Sequence, residues 1–231
     1  MPSDLPPVPA SFALHPVATL RSCYPEKFGT PRQSGLVPSA WGEIVFEPAF
    51  RRPEVVRGLE GFSHLWLISV FHQVPEDATG LTVRPPRLGG NERVGVFASR
   101  SPFRPNRLAL SVVKLERIKP EEPRLFISGV DLVDGTPVID IKPYLPYADC
   151  LPQATGGFAG NAPEPLRVAW QTVPSMPAAD RLLIEQSIAL RPQPAYQNDS
   201  RREYAADFAA WAVRWTVADG TATITGYETR N

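Results

Sequence analysis

Only two cysteines, three histidines and four lysines occur among the 231 residues. Cys23 and Cys150 lie far apart with no CxxC spacing, and His15, His64 and His72 form no ligand pattern, so neither a disulfide framework nor a bound metal is expected. No apolar run approaches membrane-spanning length, and "MPSDLPPVPASF" places prolines where a secretion signal needs an apolar helix. A cytoplasmic protein with no membrane partner is the expectation. Chemical fingerprints are missing too. No glycine-rich sequence opens a helix after a strand, and GxSxG, HExxH and a cysteine beside a histidine are all absent. Phosphate-loop, dinucleotide and common hydrolase chemistries lose their usual signatures.

A net charge of zero argues against coating nucleic acid by bulk electrostatics, but the charge is unevenly placed. Six arginines lie between Arg84 and Arg107 against one acid, Glu92. Within "SRSPFRPNRLALS", Pro102 and Pro105 restrain the backbone and disfavour helix, so Arg100, Arg104 and Arg107 fall on a stiff loop entering a strand. Guanidinium groups held on such a loop suit phosphate, carboxylate or an aromatic ring face. A solvated arginine-rich turn is the plainer alternative.

Prolines number 27, and most apolar runs are short and rich in β-branched or aromatic residues, which points to strands. Seven segments qualify: "HPVATLRS", "WGEIVFE", "SHLWLISVFH", "RVGVFAS", "RLALSVVKLERI", "RLFISGVDL" and "PVIDIKPY". Without helical crossovers they make a mainly β barrel or sandwich over residues 1–150. In "LALSVVKLERI", Leu108, Leu110 and Val112 share one face, and Ala109, Ser111 and Val113 the other. A Gly/Pro/Ala-rich linker spans roughly residues 150–166. A small α+β unit completes 151–231: a strand at "LRVAWQTV", a helix at "PAADRLLIEQSIAL", and a hairpin turned at Asp219-Gly220. It is too small to stand alone and should dock on the barrel or on another chain.

Several positions qualify for chemistry. His64 and His72, at the two ends of one strand segment, are too far apart to share a metal. His64 reads as a hydrogen-bonded core histidine, and His72-Gln73, beside a loop, as the better ligand candidate. Asp131 and Asp134 bracket the turn Val133-Asp134-Gly135-Thr136. Asp134 either supports Gly135 in that turn or accepts a hydrogen bond from a ribose hydroxyl or an amine.

The ordered stretches "EKFGTPRQSGLVPSAWGE", "VRGLEGFSHLWLISVFHQ", "TVRPPRLGGNERVGVFASRSPFRPN" and "DLVDGTPVIDIKPYLP" closely resemble the TrmO/TsaA-like family of S-adenosylmethionine-dependent tRNA methyltransferases. "LRPQPAYQ" and "FAAWAVRW" resemble the family's bacterial C-terminal extension. The resemblance implies a single-sheeted β-barrel acting as a homodimer, with S-adenosylmethionine bound near the dimer interface. It further implies methylation at N6 of threonylcarbamoyladenosine in the tRNA anticodon loop. By motif, Pro31, Arg32 and Gln33 match the family's "PRQ" cofactor segment, His72 and Gln73 its "HQ", and Arg100 the arginine of its "TRS", with Ser99 replacing threonine. Leu110 falls at an apolar cofactor contact. Asp131, Asp134, Gly135, Thr136, Pro137 and Val138 fall on another cofactor segment.

Relatives often read "RPNPIG" where this chain has "RPNRLA", so Arg107 and Ala109 replace proline and glycine while Arg104 and Asn106 stay in place. Asp134, Arg104 and Asn106 form the expected catalytic set. In it Arg104 would clamp the substrate's carboxylate, and Asp134 or a backbone carbonyl of its turn would weaken the N6 proton. Trp211, Arg214 and Trp215 read first as packing and second as a tRNA contact. The competing functions are a non-catalytic RNA-binding barrel and a barrel that binds a nucleotide-like regulator.

Overall fold

Alternating small apolar residues dictate the first half of the structure. In the computed structural model, which describes residues 11–193 and 202–230, β1 (Ala18–Ser22), β2 (Trp41–Phe46) and β3 (His64–Val70) are followed by a short ribbon of β4 (Thr82–Val83) and β5 (Val94–Gly95). Then come β6 (Leu108–Lys119), β7 (Arg124–Ser128) and β8 (Thr136–Pro143). Six of these strands close into an antiparallel barrel in the order β1-β2-β7-β6-β3-β8. Of the barrel and sandwich expected from sequence, the barrel forms. Part of the N-terminal segment searched for a secretion signal lies outside the described residues, as does the end of "LRPQPAYQ".

"RVGVFAS" is the strand segment that does not join the barrel. Only Val94 and Gly95 pair, with Thr82 and Val83, and Val96–Ala98 turns into a single 3-10 turn. It belongs to the long excursion between β3 and β6, which supplies one wall of a cleft.

The barrel interior is narrow, and β6 turns its smaller face inward: Ala109, Ser111 and Val113 are buried, leaving Leu110 58% exposed outside. Leu20, Ile44, Leu65, Leu67, Leu125 and Ile127 fill the remaining space, each worth about 1.5–3 kcal/mol of burial. His64 departs from its expected core position. Strand alternation turns it to the outer face, where Nδ1 pairs with Ser63 Oγ at 2.9 Å and the ring meets the edge of Tyr144.

After a short helix α1 (Pro146–Asp149), β9 (Arg167–Trp170) and α2 (Ala178–Ala189) precede β10 (Glu203–Phe208), β11 (Trp211–Ala218) and β12 (Thr221–Thr229). They make a second sheet, β10-β11-β12-β9, with β9 parallel to β12. The expected turn at Asp219-Gly220 joins β11 to β12. The β10-β11 hairpin was not anticipated, because its turn uses Ala209 at φ 50° where glycine or asparagine is the usual sign.

This second unit docks on the barrel half of its own chain. Its core joins Leu183, Ile184, Ile188, Phe208 and Trp215 to Cys23, Tyr24, Val37 and Ala40. Phe28 stacks on Trp215 at 5.9 Å, and Tyr24 Oη pairs with Ser187 Oγ at 3.0 Å. Gly29 has φ 94°, and a Cβ there would lie 2.9 Å from Phe208, so the close approach requires glycine. Trp215 is fully buried and Trp211 donates to Asp180 at 2.9 Å, which is the packing role; Arg214 faces Glu228.

Candidate active site

Three loops converge above the outer face of β6. The first follows β3: Phe71 N–H donates to Arg107 O at 2.8 Å, Val74 N–H to Phe71 O at 3.1 Å, and Lys27 Nζ to Gln73 O at 2.6 Å, which fixes His72 and Gln73 at the rim. Partial burial and the nearby Lys27 hold the His72 imidazole below its ordinary pKa, opposed by Asp134.

The second loop is the proline-bounded arginine segment. Arg104 N–H bonds Pro102 O, Arg107 N–H bonds Arg104 O, and Arg104 Nη1 reaches Ser99 O at 3.1 Å. Arg107 turns away from the cleft. It donates to Val74 O at 2.9 Å and pairs with Glu76 at 3.0 Å, tying this loop to the first. Its φ of 50° is closed to proline, whose ring fixes φ near −65°, so the replacement of the family's proline goes with a local backbone that proline cannot adopt.

The third loop carries Pro31, Arg32 and Gln33. It is pinned to the barrel by Gly35 N–H to Gly129 O at 2.8 Å and Val112 N–H to Ser34 Oγ at 3.1 Å, and Arg100 donates to the Gln33 side chain. Among the described residues no acceptor meets the Arg32 guanidinium; burial and the neighbouring Arg87 both push its pKa down. An unpaired, partly desolvated cation beside another cation is a site for an anion.

Asp131 lies where the loops meet. Ser111 Oγ donates to it at 2.6 Å and the Ser34 N–H also bonds it, yet burial pushes its carboxyl up to about 6. The cleft encloses about 2190 Å³, and seven arginines and Lys27 line it against two carboxylates, Asp131 and Asp219.

Pro31, Arg32, Gln33, His72, Gln73, Arg100, Arg104, Leu110, Asp131 and Thr136 all line this cleft. Asp134, Gly135, Pro137, Val138 and Asn106 do not. The Asp134 carboxylate accepts from Ser22 N–H at 2.9 Å and faces Arg21 at 3.5 Å, while Gly135, at φ 78°, donates to Leu20 O. These contacts tie the Asp134 side chain to β1 rather than to Gly135 of its own turn. Val138 is fully buried in the barrel core, and Asn106 is exposed on its loop. Sequence reasoning gave no site role to Ser34 or Ser111, which lie beside Asp131, nor to the far wall made by Arg191, Gln193 and Asp219 of the second unit. Arg191 and Gln193 lie in the quoted motif "LRPQPAYQ" and Asp219 in the expected turn, but only tertiary docking brings them to the cleft.

Fold and cleft together define a small closed barrel carrying a large, arginine-lined cleft of a kind that suits anionic ligands. Residues 19–150 match the model for the tRNA-methyltransferase O N-terminal domain, and residues 164–230 that for the TrmO C-terminal domain. The chain belongs to the TrmO family. It is 42% identical to the tRNA (adenine(37)-N6)-methyltransferase of Escherichia coli K12, over 91% of this chain and 95% of that protein. A protein of the same description from Eikenella corrodens is 53% identical over 71% of this chain and 95% of its own. A Pseudomonas aeruginosa protein provisionally named an S-adenosylmethionine-dependent methyltransferase is 45% identical, over 88% and 91%. The crystal structure of TrmO from P. aeruginosa superposes with a TM-score of 0.80 at 34% identity, covering 96% of this chain and 99% of that one. Among the described residues no helix is long and apolar enough to cross a membrane.

Proposed function

We propose that this chain transfers the methyl group of S-adenosylmethionine to N6 of threonylcarbamoyladenosine in a tRNA anticodon loop. The observation that carries the reading is the meeting, in one cleft, of an unpaired guanidinium at Arg32, a half-buried carboxylate at Asp131 and an arginine-rich rim. The donor set fits the cofactor: Arg32 matches a carboxylate, Asp131 an ammonium or ribose hydroxyl, and the exposed face of Leu110 an apolar contact. Gln33, held by Arg100, and residues Leu132, Val133 and Thr136 complete that side. When bound, S-adenosylmethionine supplies an electrophilic methyl on its sulfonium sulfur.

The chain's own residues orient the acceptor and exclude water. Rigid loops preset that geometry, and positioning of this kind lowers the barrier without a strong base. Asp134 is held by the Ser22 N–H and Arg21 of β1, which leaves His72, kept below its ordinary pKa, as the rim group able to accept a proton from N6. Arg104 uses one donor on Ser99 O, and the rest of its fork suits the threonylcarbamoyl carboxylate. Arg84 and Arg87, on the excursion wall, suit tRNA phosphates, and anticodon-loop bases are already unpaired. The reading includes a homodimer whose second copy covers Leu81 and Phe97, exposed by 86% and 80%, beside the cleft. Cytoplasmic location accompanies a tRNA substrate.

Calorimetry with S-adenosylmethionine and no RNA tests the assignment. Binding that weakens in Arg32→Ala supports it. No binding by the wild-type protein replaces it with a non-catalytic RNA-binding barrel.

A further inference from the structure

The far wall of the cleft belongs to the second unit. Leu190, Arg191 and Gln193 follow α2, and Val217 to Gly220 form the end of β11 and its turn. Gln193 is only 6% exposed, and among the described residues its Oε1 has no hydrogen-bond partner. A buried amide oxygen without a donor is costly, and native proteins rarely leave one unless a ligand or water supplies the donor. Two residues earlier, Arg191 occupies the position after the helix C-cap at φ 56°, where glycine is the usual choice. Among the described residues the guanidinium's one bond is a long one from Nε to Glu164 O at 3.4 Å, so its terminal nitrogens are free for an anion.

We infer that Gln193 and Arg191 form a nucleotide subsite, in which Gln193 Oε1 accepts an N–H from a base and Arg191 pairs with a phosphate of the same strand. The inference rests on the reading of the protein as a tRNA methyltransferase and adds which part of the chain holds the RNA beside the target base. Volume favours RNA over a small ligand. The cleft, at about 2190 Å³, is at least twice what a small-molecule site occupies, about 300–1,000 Å³. The cofactor-type residues lie on the barrel side, so the second unit faces the remaining space. A single-stranded nucleotide presents both a base-edge donor and an anion, which is what these two side chains lack. The amino-acid end of S-adenosylmethionine also carries a donor and an anion, and the test separates the two.

The experiment uses the full chain, tRNA bearing threonylcarbamoyladenosine, and two variants. Gln193→Leu removes the acceptor at similar volume, and Arg191→Gly suits the left-handed backbone. Thermal melting of both variants should equal or exceed that of the wild type. Gln193→Leu should weaken tRNA binding about 5-fold, the scale of one neutral hydrogen bond. Arg191→Gly should weaken it about 10-fold and reduce the slope of log affinity against log salt by about 1. S-adenosylmethionine affinity without RNA should not change. Wild-type tRNA affinity in both variants overturns the subsite while leaving the function standing, and a parallel loss of cofactor affinity reassigns the two residues to the cofactor. A wild-type protein that binds no tRNA overturns the function and the subsite together.

Discussion

Asp131→Asn should make the protein more stable and less active. The Asp131 carboxyl is raised from 3.8 to about 6 in the folded chain, mainly by burial, despite the bonds from Ser111 and Ser34 and the attraction of Arg100. For an acid whose folded pKa is raised, stability is fully present below the unfolded value and is lost as pH rises through the folded one. Between pH 3.8 and 6 the loss accumulates to about 3 kcal/mol, at 1.36 kcal/mol per pH unit, and stays constant above. Asparagine is nearly isosteric, and its Oδ1 still accepts from Ser111, so the substitution removes the charge penalty and keeps that bond. At about 2–4 °C per kcal/mol for a chain of this size, the variant should melt about 6–12 °C above wild type at pH 7.5. Well below pH 3.8, where wild-type Asp131 is protonated in both states, the difference should vanish. Differential scanning calorimetry of the two proteins side by side at pH 7.5 and about 2.8 reads this directly, since other groups titrate equally in both. A lower melting temperature at pH 7.5, or a gap independent of pH, refutes the reasoning. Methyl transfer should fall in the same variant, because a site carboxylate retained at a cost to stability is retained for a ligand.

Arg84→Ala and Arg87→Ala should weaken tRNA and flatten its salt dependence by about one unit of slope each, whereas Arg32→Ala should weaken S-adenosylmethionine more than tRNA; equal losses of both ligands in all three variants would contradict the division of the cleft. Arg107→Pro, which restores the residue common in relatives, should destabilise by about 3 kcal/mol or more, because φ 50° is closed to proline and the ties to Val74 and Glu76 are lost. Urea denaturation checks this, and an unchanged midpoint would show that the loop relaxes freely. Gly29→Ala should cost about 1–3 kcal/mol by forcing a Cβ against Phe208 at φ 94°, read as a lower melting temperature.

Periodicity carried most of the fold. Strict alternation in β3 and β6 located the strands and their faces, and the Asp219-Gly220 turn located β11 and β12. "RVGVFAS" failed because composition cannot distinguish a strand from a loop segment whose apolar residues line a cleft. His64 failed because its neighbour Leu65 took the inward position. In the site, the residues on the three loops were legible as motifs, and Pro31 to Gln33, His72 and Asp131 do come together. Asp134 shows the limit. An Asp-Gly pair reads alike whether its carboxylate faces a ligand or caps a strand, and only the bond to Ser22, 112 residues away in sequence, separates the two. Gln193 and Arg191 fall in the motif "LRPQPAYQ", legible as a resemblance, but that they line the cleft follows only from the docking of the second unit on the barrel, a long-range contact with no local signature.

The most direct test of the central claim is methyl transfer from S-adenosylmethionine to two otherwise identical tRNAs, one carrying threonylcarbamoyladenosine and one plain adenosine. A site with a cationic clamp rejects a substrate lacking the carboxylate, because its guanidinium is then left unpaired. The account predicts rapid methylation of the modified tRNA, little of the unmodified one, and a smaller difference between them in Arg104→Ala or Arg104→Lys. Similar rates on both tRNAs with the wild-type protein, or methylation of neither by protein that binds the cofactor, would contradict it.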